Sequence, residues 1–301
     1  MSNYHTSVLL QACITHLNIN PSGVYVDLTF GGGGHSAHIL KALNQNGKLF
    51  AFDQDVDAHK NVLNDKRFTL IPHNFRYLKN YLRLYGITKV DGILGDLGVS
   101  SHQFDEASRG FSIRFDAELD MRMNQQNLLT AKKIINEYNH KQLITIFKEF
   151  AEIHNAAKLA TVIIAYRTEK EIVTTNDLKE AIKTCTPKFE EHKYLAKVFQ
   201  ALRIEVNQEI DALVECLTQC VEVLNTNGRL VVISYHSLED RLVKNIMKTG
   251  NVEGTEEKDI IYGTVKKMFK NLTSKPITPT EEEIKSNTRA RSAKLRVGEK
   301  I

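Results

Sequence analysis

Four aspartates in this chain stand where acids can do chemistry. In "YVDLTFGGGGHSAHIL", residues 25–40, Asp27 lies four residues before a run of four glycines, and His35 and Ser36 follow the run. Glycine has no Cβ, so such a run lets a ligand approach the backbone closely. A helix starting there adds free N–H groups and the positive end of its dipole. Three readings fit: a nucleotide phosphate, a smaller cofactor, or a flexible turn that binds nothing. Asp53, twenty residues past Gly33, can accept from two ribose hydroxyls. Phe75 can stack on a base, and Asp96 in "GDLGVSS" can reach the reacting end of a bound cofactor. Asp120 in "LDMRM" and His236 in "SYHS" are further polar groups that could serve the acceptor.

These residues need a frame, and the first hundred positions predict one. "GVYVDLTF", "KLFAFDQD", "RFTLIPHNF" and "VDGILGDLGVS" read as buried strands, apolar and β-branched with turn residues at their ends. Between them "SAHILKALNQNG", with Ser36 as N-cap, "DAHKNVLND" and "NFRYLKNYLRLYG" read as helices. This alternation predicts a parallel sheet wrapped by helices on both faces. Asp27, Asp53, Phe75 and Asp96 then fall at or just past four successive strand ends, where open α/β sheets bind ligands. From about 128 to 200 the periodicity is helical throughout, and the helical pattern continues through "KYLAKVFQALRIEVNQEIDALVECLTQCVEVLN". The strand pattern resumes at "GRLVVISYHS", and "ARSAKLRVGEK" alternates as a final edge strand. The organisation expected is therefore one α/β domain, 1–104 and 201–301, interrupted by an all-helical insert at 105–200.

Composition narrows the class. The 301 residues are 42% hydrophobic and 25% charged, an ordinary globular mix. A net charge of +4 permits a nucleic-acid partner without demanding one. The four cysteines, Cys13, Cys185, Cys216 and Cys220, form no CxxC pair and no metal spacing, so no metal is expected and a reduced, cytoplasmic compartment is. No apolar run approaches the roughly 20 residues that cross a bilayer, so no membrane partner is expected. The oligomeric state stays open, a homodimer included.

The dinucleotide pattern GxGxxG fits poorly, because Ser36 occupies its third glycine position. The spacing acid-x-G-x-G-x-G fits better, with Asp27, Gly31 and Gly33 in place and Thr29 at the first glycine. It resembles motif I of S-adenosylmethionine-dependent methyltransferases. Longer motifs follow in order: "HTSVLL", "DLTFGGGGHS", "DLGVSSHQFDEASRGFS", "LDMRM", "FQALRIEVNQE", "GRLVVISYHSLEDRLVK" and "RARSAKLR". With them, essentially the whole chain resembles the RsmH (MraW) family of bacterial 16S rRNA cytosine-N4 methyltransferases. The resemblance implies a Rossmann-like methyltransferase sheet with an inserted helical domain that recognises RNA. It implies S-adenosyl-L-methionine as donor and a cytidine of the ribosomal decoding centre, at the P site of the small subunit, as acceptor. It also implies cofactor contacts at Gly33, Gly34, His35, Asp53, Phe75, Asp96 and Gln103. Departures from the family pattern are Gly32, Gly95, which suggests a looser strand end, Tyr235 where Phe is usual, and "KEFAEIHNAAKLA".

Cytosine N4 is a poor nucleophile because its lone pair is delocalised into the ring. A group accepting a hydrogen bond from the amine would localise that pair. Asp96 is the first candidate, Asp120 and His236 the second, and Phe111 or Tyr235 could hold an unstacked base. Arg109, Arg114, Arg122, Arg241, Arg289, Arg291 and Lys294, with Arg296, could meet phosphates. Three rival readings share parts of this pattern. A nicotinamide-dependent enzyme shares the glycine loop and Asp53, but no hydride-transfer constellation is evident. A non-catalytic RNA-binding assembly factor has no need of Asp53 and Asp96. A DNA amino-methyltransferase normally carries a PPY-type motif.

Overall fold

A computed structural model describes residues 7–256 and 267–301. His5 and Thr6 of "HTSVLL" lie outside the described residues. The chain forms two compact units, Met1–Gly98 with Ile210–Ile301, and Val99–Glu209.

The first unit contains α1 (Leu10–Leu17), β1 (Val24–Asp27), α2 (Gly34–Ala42), β2 (Lys48–Phe52), β3 (Phe68–Ile71), α3 (Leu78–Leu84) and β4 (Val90–Asp96). The second contains α4 (Ser101–Asp105), α5 (Ala131–Glu137), α6 (His140–Ala151), α7 (Ala156–Glu169), α8 (Thr175–Ile182) and α9 (Glu191–Asn207). The chain returns to the first unit through α10 (Glu209–Val223), β5 (Leu224–Ser234), α11 (Ser237–Thr249), β6 (Phe269–Asn271), α12 (Glu281–Ser286) and β7 (Lys294–Lys300).

The seven strands order as β3-β2-β1-β4-β5-β7-β6. The first five run parallel, and β7 pairs antiparallel with both β5 and β6. Parallel strands bury both faces, and here alternate side chains feed two cores. Val26, Phe50, Phe52, Ile93, Leu230 and Val232 pack with residues of α3, α10 and α11. Tyr25, Leu49, Ala51, Leu94, Val231 and Ile233 pack with α1 and α2. This is the doubly wound, Rossmann-like sheet that the strand-helix alternation predicts. The second unit has its own core, including Leu143, Phe147, Leu159, Ile163, Val198 and Leu202.

Several local expectations are corrected. "DAHKNVLND" makes only a 3-10 turn at Ala58–Asn61, since of its apolar residues Ala58 alone is fully buried, too little to hold a helix. Ser36 is not an N-cap: α2 starts at Gly34 behind Gly33, and Ser36 sits buried inside the first turn. The long helical run breaks at Gln208, whose φ of 49° ends α9 and starts α10. The second compact unit spans Val99–Glu209, and α9 runs unbroken past residue 200 to Asn207 within it. The C-terminal strand β7 is not an edge: β6 covers it. Gly95 does not loosen β4: Gly95 and Asp96 stay in register with Val232 and Ile233 of β5.

Candidate functional site

The strand order reverses at β1, with β2 on one side and β4 on the other. Such a switch point leaves a crevice at the carboxyl ends of the strands. Asp27 closes β1 and is fully buried. It accepts hydrogen bonds from Ser36 Oγ at 2.7 Å and from the Thr29 backbone N–H at 3.0 Å. Burial pushes its carboxyl above the usual range, against the pull of His35 and those two donors. Asp27 thus ties the strand to the start of α2.

The glycine turn is held from β2. Asp53 Oδ2 accepts from the Gly31 N–H at 2.8 Å and Oδ1 from the Asp55 N–H at 2.8 Å. Burial pushes Asp53 up to about 6, with those two donors pulling the other way. Gly31 has φ of +50°, and nothing lies within 4 Å of where its Cβ would be. Gly33 has φ of +75°, with the Phe30 ring 3.0 Å from a Cβ there. α2 begins with no side-chain cap, so no side chain spends the anion-binding capacity of its first turn. Asn74, just before Phe75, donates to Gln54 Oε1 at 3.1 Å, tying the ends of β3 and β2 together. Phe75 is half-buried and packs against the α3/α10 face of the sheet.

Asp96 ends β4, 22% exposed at the side chain. Its backbone N–H donates to Thr29 Oγ1 at 2.7 Å, which joins β4 to the start of the glycine loop. The Tyr235 hydroxyl donates to Oδ1 at 2.7 Å. His35 Nδ1 stands 4.0 Å from Oδ2. The other ring nitrogen of His35, Nε2, lies 3.1 Å from the Val8 carbonyl, which can only accept. Nε2 therefore carries a proton, and in the neutral ring Nδ1 faces Asp96 as a bare acceptor. Burial pushes Asp96 up to about 6; the charge of His35, when that ring is protonated, and the Tyr235 hydroxyl pull it down, and Asp27 and Glu239 push it further up.

His236 and Arg241 belong to the segment after β5. His236 is the N-cap residue of α11 without a side-chain cap bond, and its Nε2 is 3.2 Å from Glu239 Oε1. Buried Glu239 also accepts the Tyr235 N–H at 2.9 Å, which ties residue 235 to α11, whereas neither ring nitrogen of His236 is hydrogen-bonded among the described residues. Arg241 and Arg291 are exposed, and Arg289 is half-buried. Lys294 and Arg296 both face Asp240, at 3.7 Å and as a bidentate pair respectively.

Gln103, Arg109, Arg114, Asp120 and Arg122 lie in the second unit. Gln103 is buried and completes a capping box with Ser100 at the start of α4. Arg114 is exposed. Asp120 holds Arg122 in a bidentate pair; burial alone would raise its carboxyl, but the Arg122 hydrogen bonds outweigh that and hold it low. Arg122 also donates to the carbonyls of Gln125 and Asn127. Arg109 is buried and donates to the carbonyls of Arg122 and Met123. Arg109 and Arg122 thus brace the "LDMRM" loop.

Sequence reasoning missed two residues. Asn207 ends α9, donating to the Met121 carbonyl at 2.8 Å and accepting from the Met123 N–H at 2.7 Å. A polar residue on the buried side of "RIEVNQE" was the available signal. Thr29 was read only as a stand-in for a glycine, yet its hydroxyl receives the Asp96 N–H.

The sheet, the uncapped glycine turn and the acids at neighbouring strand ends define a Rossmann-like protein built to hold a nucleoside-bearing cofactor. A family model described as the MraW methylase family matches residues 2–301. A protein of Flavobacterium johnsoniae named ribosomal RNA small subunit methyltransferase H is 56% identical over 298 residues, covering 99% of this chain and 98% of its own. Its namesake in Christiangramia forsetii is 55% identical over 301 residues, covering 100% and 99%. The one in Bacteroides fragilis is 53% identical over 299 residues, covering 99% and 98%. The chain belongs to the MraW methylase family and is a methyltransferase.

Proposed function

We propose that this protein transfers a methyl group from S-adenosyl-L-methionine to N4 of a cytidine in the decoding centre of small-subunit rRNA. The observation that carries this reading is the pair Asp53 and Asp96 beside an open glycine turn, Asp53 accepting from the Gly31 N–H and Asp96 donating its own N–H to the Thr29 hydroxyl. The relatives named as small-subunit rRNA methyltransferases support the substrate class. The residues fit the donor on two counts. The space beside Gly31 is open. Asp53, accepting one backbone N–H on each oxygen, keeps lone pairs for two ribose hydroxyls.

Bound S-adenosylmethionine supplies an electrophilic methyl on a sulfonium. The protein's part is to hold the acceptor nitrogen in line with it, and positioning of this kind can account for most of such a rate enhancement. Asp96 Oδ2 accepts a hydrogen bond from the cytosine amine and so localises its lone pair. As the N–C bond would form, the methyl–sulfur bond would break with its electron pair left on sulfur and the amine would shed one proton; a carboxylate with a pKa near 6 suits transient custody of that proton. Exposed Arg241 and Arg291, with Arg289, meet phosphates, and the Val99–Glu209 unit recognises the RNA.

Two measurements test the reading. S-adenosylmethionine should raise the melting temperature and NAD should not. Small-subunit rRNA from cells lacking the protein should lose one methyl on a cytidine of the decoding centre by mass spectrometry. An unaltered methylation pattern would sink the substrate assignment.

A further inference from the structure

We propose that Tyr235 is a positioning residue for methyl transfer, tying down one oxygen of Asp96 so that the other is presented to the acceptor amine. This rests on the reading of Asp96 as the group that accepts from the amine.

A carboxylate at a strand end can rotate about its Cβ–Cγ bond, and a rotating acceptor is not preorganised. Among the described residues, Tyr235 supplies the hydrogen bond to this carboxylate, at 2.7 Å on Oδ1. His35 cannot take that role in its neutral form. Its proton is committed to the Val8 carbonyl, and Nδ1 presents a lone pair 4.0 Å from Oδ2. With His35 in that neutral form, Oδ2 borders a second acceptor and, among the described residues, is left for an incoming N–H donor. A primary amine, with two such protons, matches a gap flanked by two acceptors.

Tyr235 is itself well held. Its backbone N–H donates to buried Glu239 at 2.9 Å. Its ring packs with the α1/α2 core and lies 3.6 Å from where a Gly98 Cβ would stand. Burial, then the Asp96 charge, raises the phenol above its usual range, so the hydroxyl stays protonated and donates. The strap from Glu239 through Tyr235 to Asp96 thus sets the carboxylate rotamer before substrate arrives, and preorganised polar groups of this kind contribute most to the rate.

The test is single-turnover methylation of small-subunit particles with saturating S-adenosylmethionine, with calorimetric Kd alongside. Tyr235→Phe should cut the rate by about tenfold, the scale of one lost hydrogen bond to a charged acceptor, and leave Kd within about twofold. The acid limb of the pH–rate profile should move to higher pH, since a donor to the carboxylate is removed. The other groups facing Asp96, namely His35 on α2, Asp27 at the end of β1, Glu239 on α11 and Cys13 on α1, are unchanged by this variant. Replacing Tyr235 with 3-fluorotyrosine keeps the ring, makes the hydroxyl a stronger donor and should move the limb the other way; this arm decides the matter if Tyr235→Phe folds poorly. In a double-mutant cycle, Asp96→Asn/Tyr235→Phe should be no slower than Asp96→Asn. Additive losses, or an acid limb that neither replacement moves, overturn the proposal. If Asp96→Asn is slow while both Tyr235 replacements behave as wild type, Tyr235 alone is dismissed. If Asp96→Asn turns over normally, the reading of Asp96 falls and this proposal falls with it.

Discussion

Asp96 is held at a cost that its chemistry explains. A half-buried carboxyl with a pKa near 6, against 3.8 when unfolded, binds its proton more tightly in the native state. Stability is then highest below the unfolded value and is lost as pH rises from about 4 to about 6, because the ionised form is the disfavoured one. Asp96→Asn keeps the Tyr235 hydrogen bond and removes the charge. At pH 7 the cofactor-free variant should be more stable than wild type by on the order of 1–3 kcal/mol, and the gap should close toward pH 4 in thermal melts. The same variant should lose about 10²-fold in single-turnover rate, the scale of one missing preorganised polar group, with cofactor Kd changed only a few-fold. A strong rise in Kd with a normal rate would instead assign Asp96 to the cofactor's amino group. Asp53→Ala is the complementary case. It removes the acceptor proposed for two ribose hydroxyls and frees the Gly31 N–H, so calorimetry should find affinity weaker by tenfold or more. Unchanged affinity would take Asp53 out of the site.

The glycine turn acts through backbone geometry. Gly33 sits at φ of +75°, where an L-residue is strained, and a Cβ would press on the Phe30 ring at 3.0 Å. Gly33→Ala should therefore destabilise by about 1–2 kcal/mol and weaken cofactor binding, because the start of α2 must shift. Gly31 is the informative control. Its φ of +50° is also strained, but no protein atom lies within 4 Å of the added methyl. Any binding loss there beyond the backbone strain comes from the ligand. Equal Kd values for wild type and Gly33→Ala would show that the turn does not line the cofactor site.

For the whole chain, the separate cores of the two units set the experiment. A protein with Val99–Glu209 replaced by a flexible linker should keep S-adenosylmethionine binding and lose methylation of the ribosomal particle. The same protein tests Gln103, which leaves with the insert. A cofactor Kd unchanged within a few-fold would remove Gln103 from the cofactor site. Full methylation of the particle would refute the assignment of RNA recognition to the insert.

The sheet and the helical insert were legible in the sequence because periodicity is local. "GVYVDLTF" and "GRLVVIS" show strand composition, and "HKQLITIFKEF" shows helical spacing, without reference to any partner. The strand ends that carry Asp27, Asp53 and Asp96 could be ordered from the same reading, since parallel strands joined by crossover segments put their carboxyl ends on one side. The sequence could not say where each hydrogen bond goes. Tyr235 reaches Asp96 across 139 residues, and Asn207 holds Met123 across 84. Arg122 reads as a free cation until Asp120 and two carbonyls are seen around it. β7 reads as an edge because β6 is only three residues long and carries little pattern. These outcomes depend on which distant groups packing brings within about 3 Å, and no local window of residues contains that information.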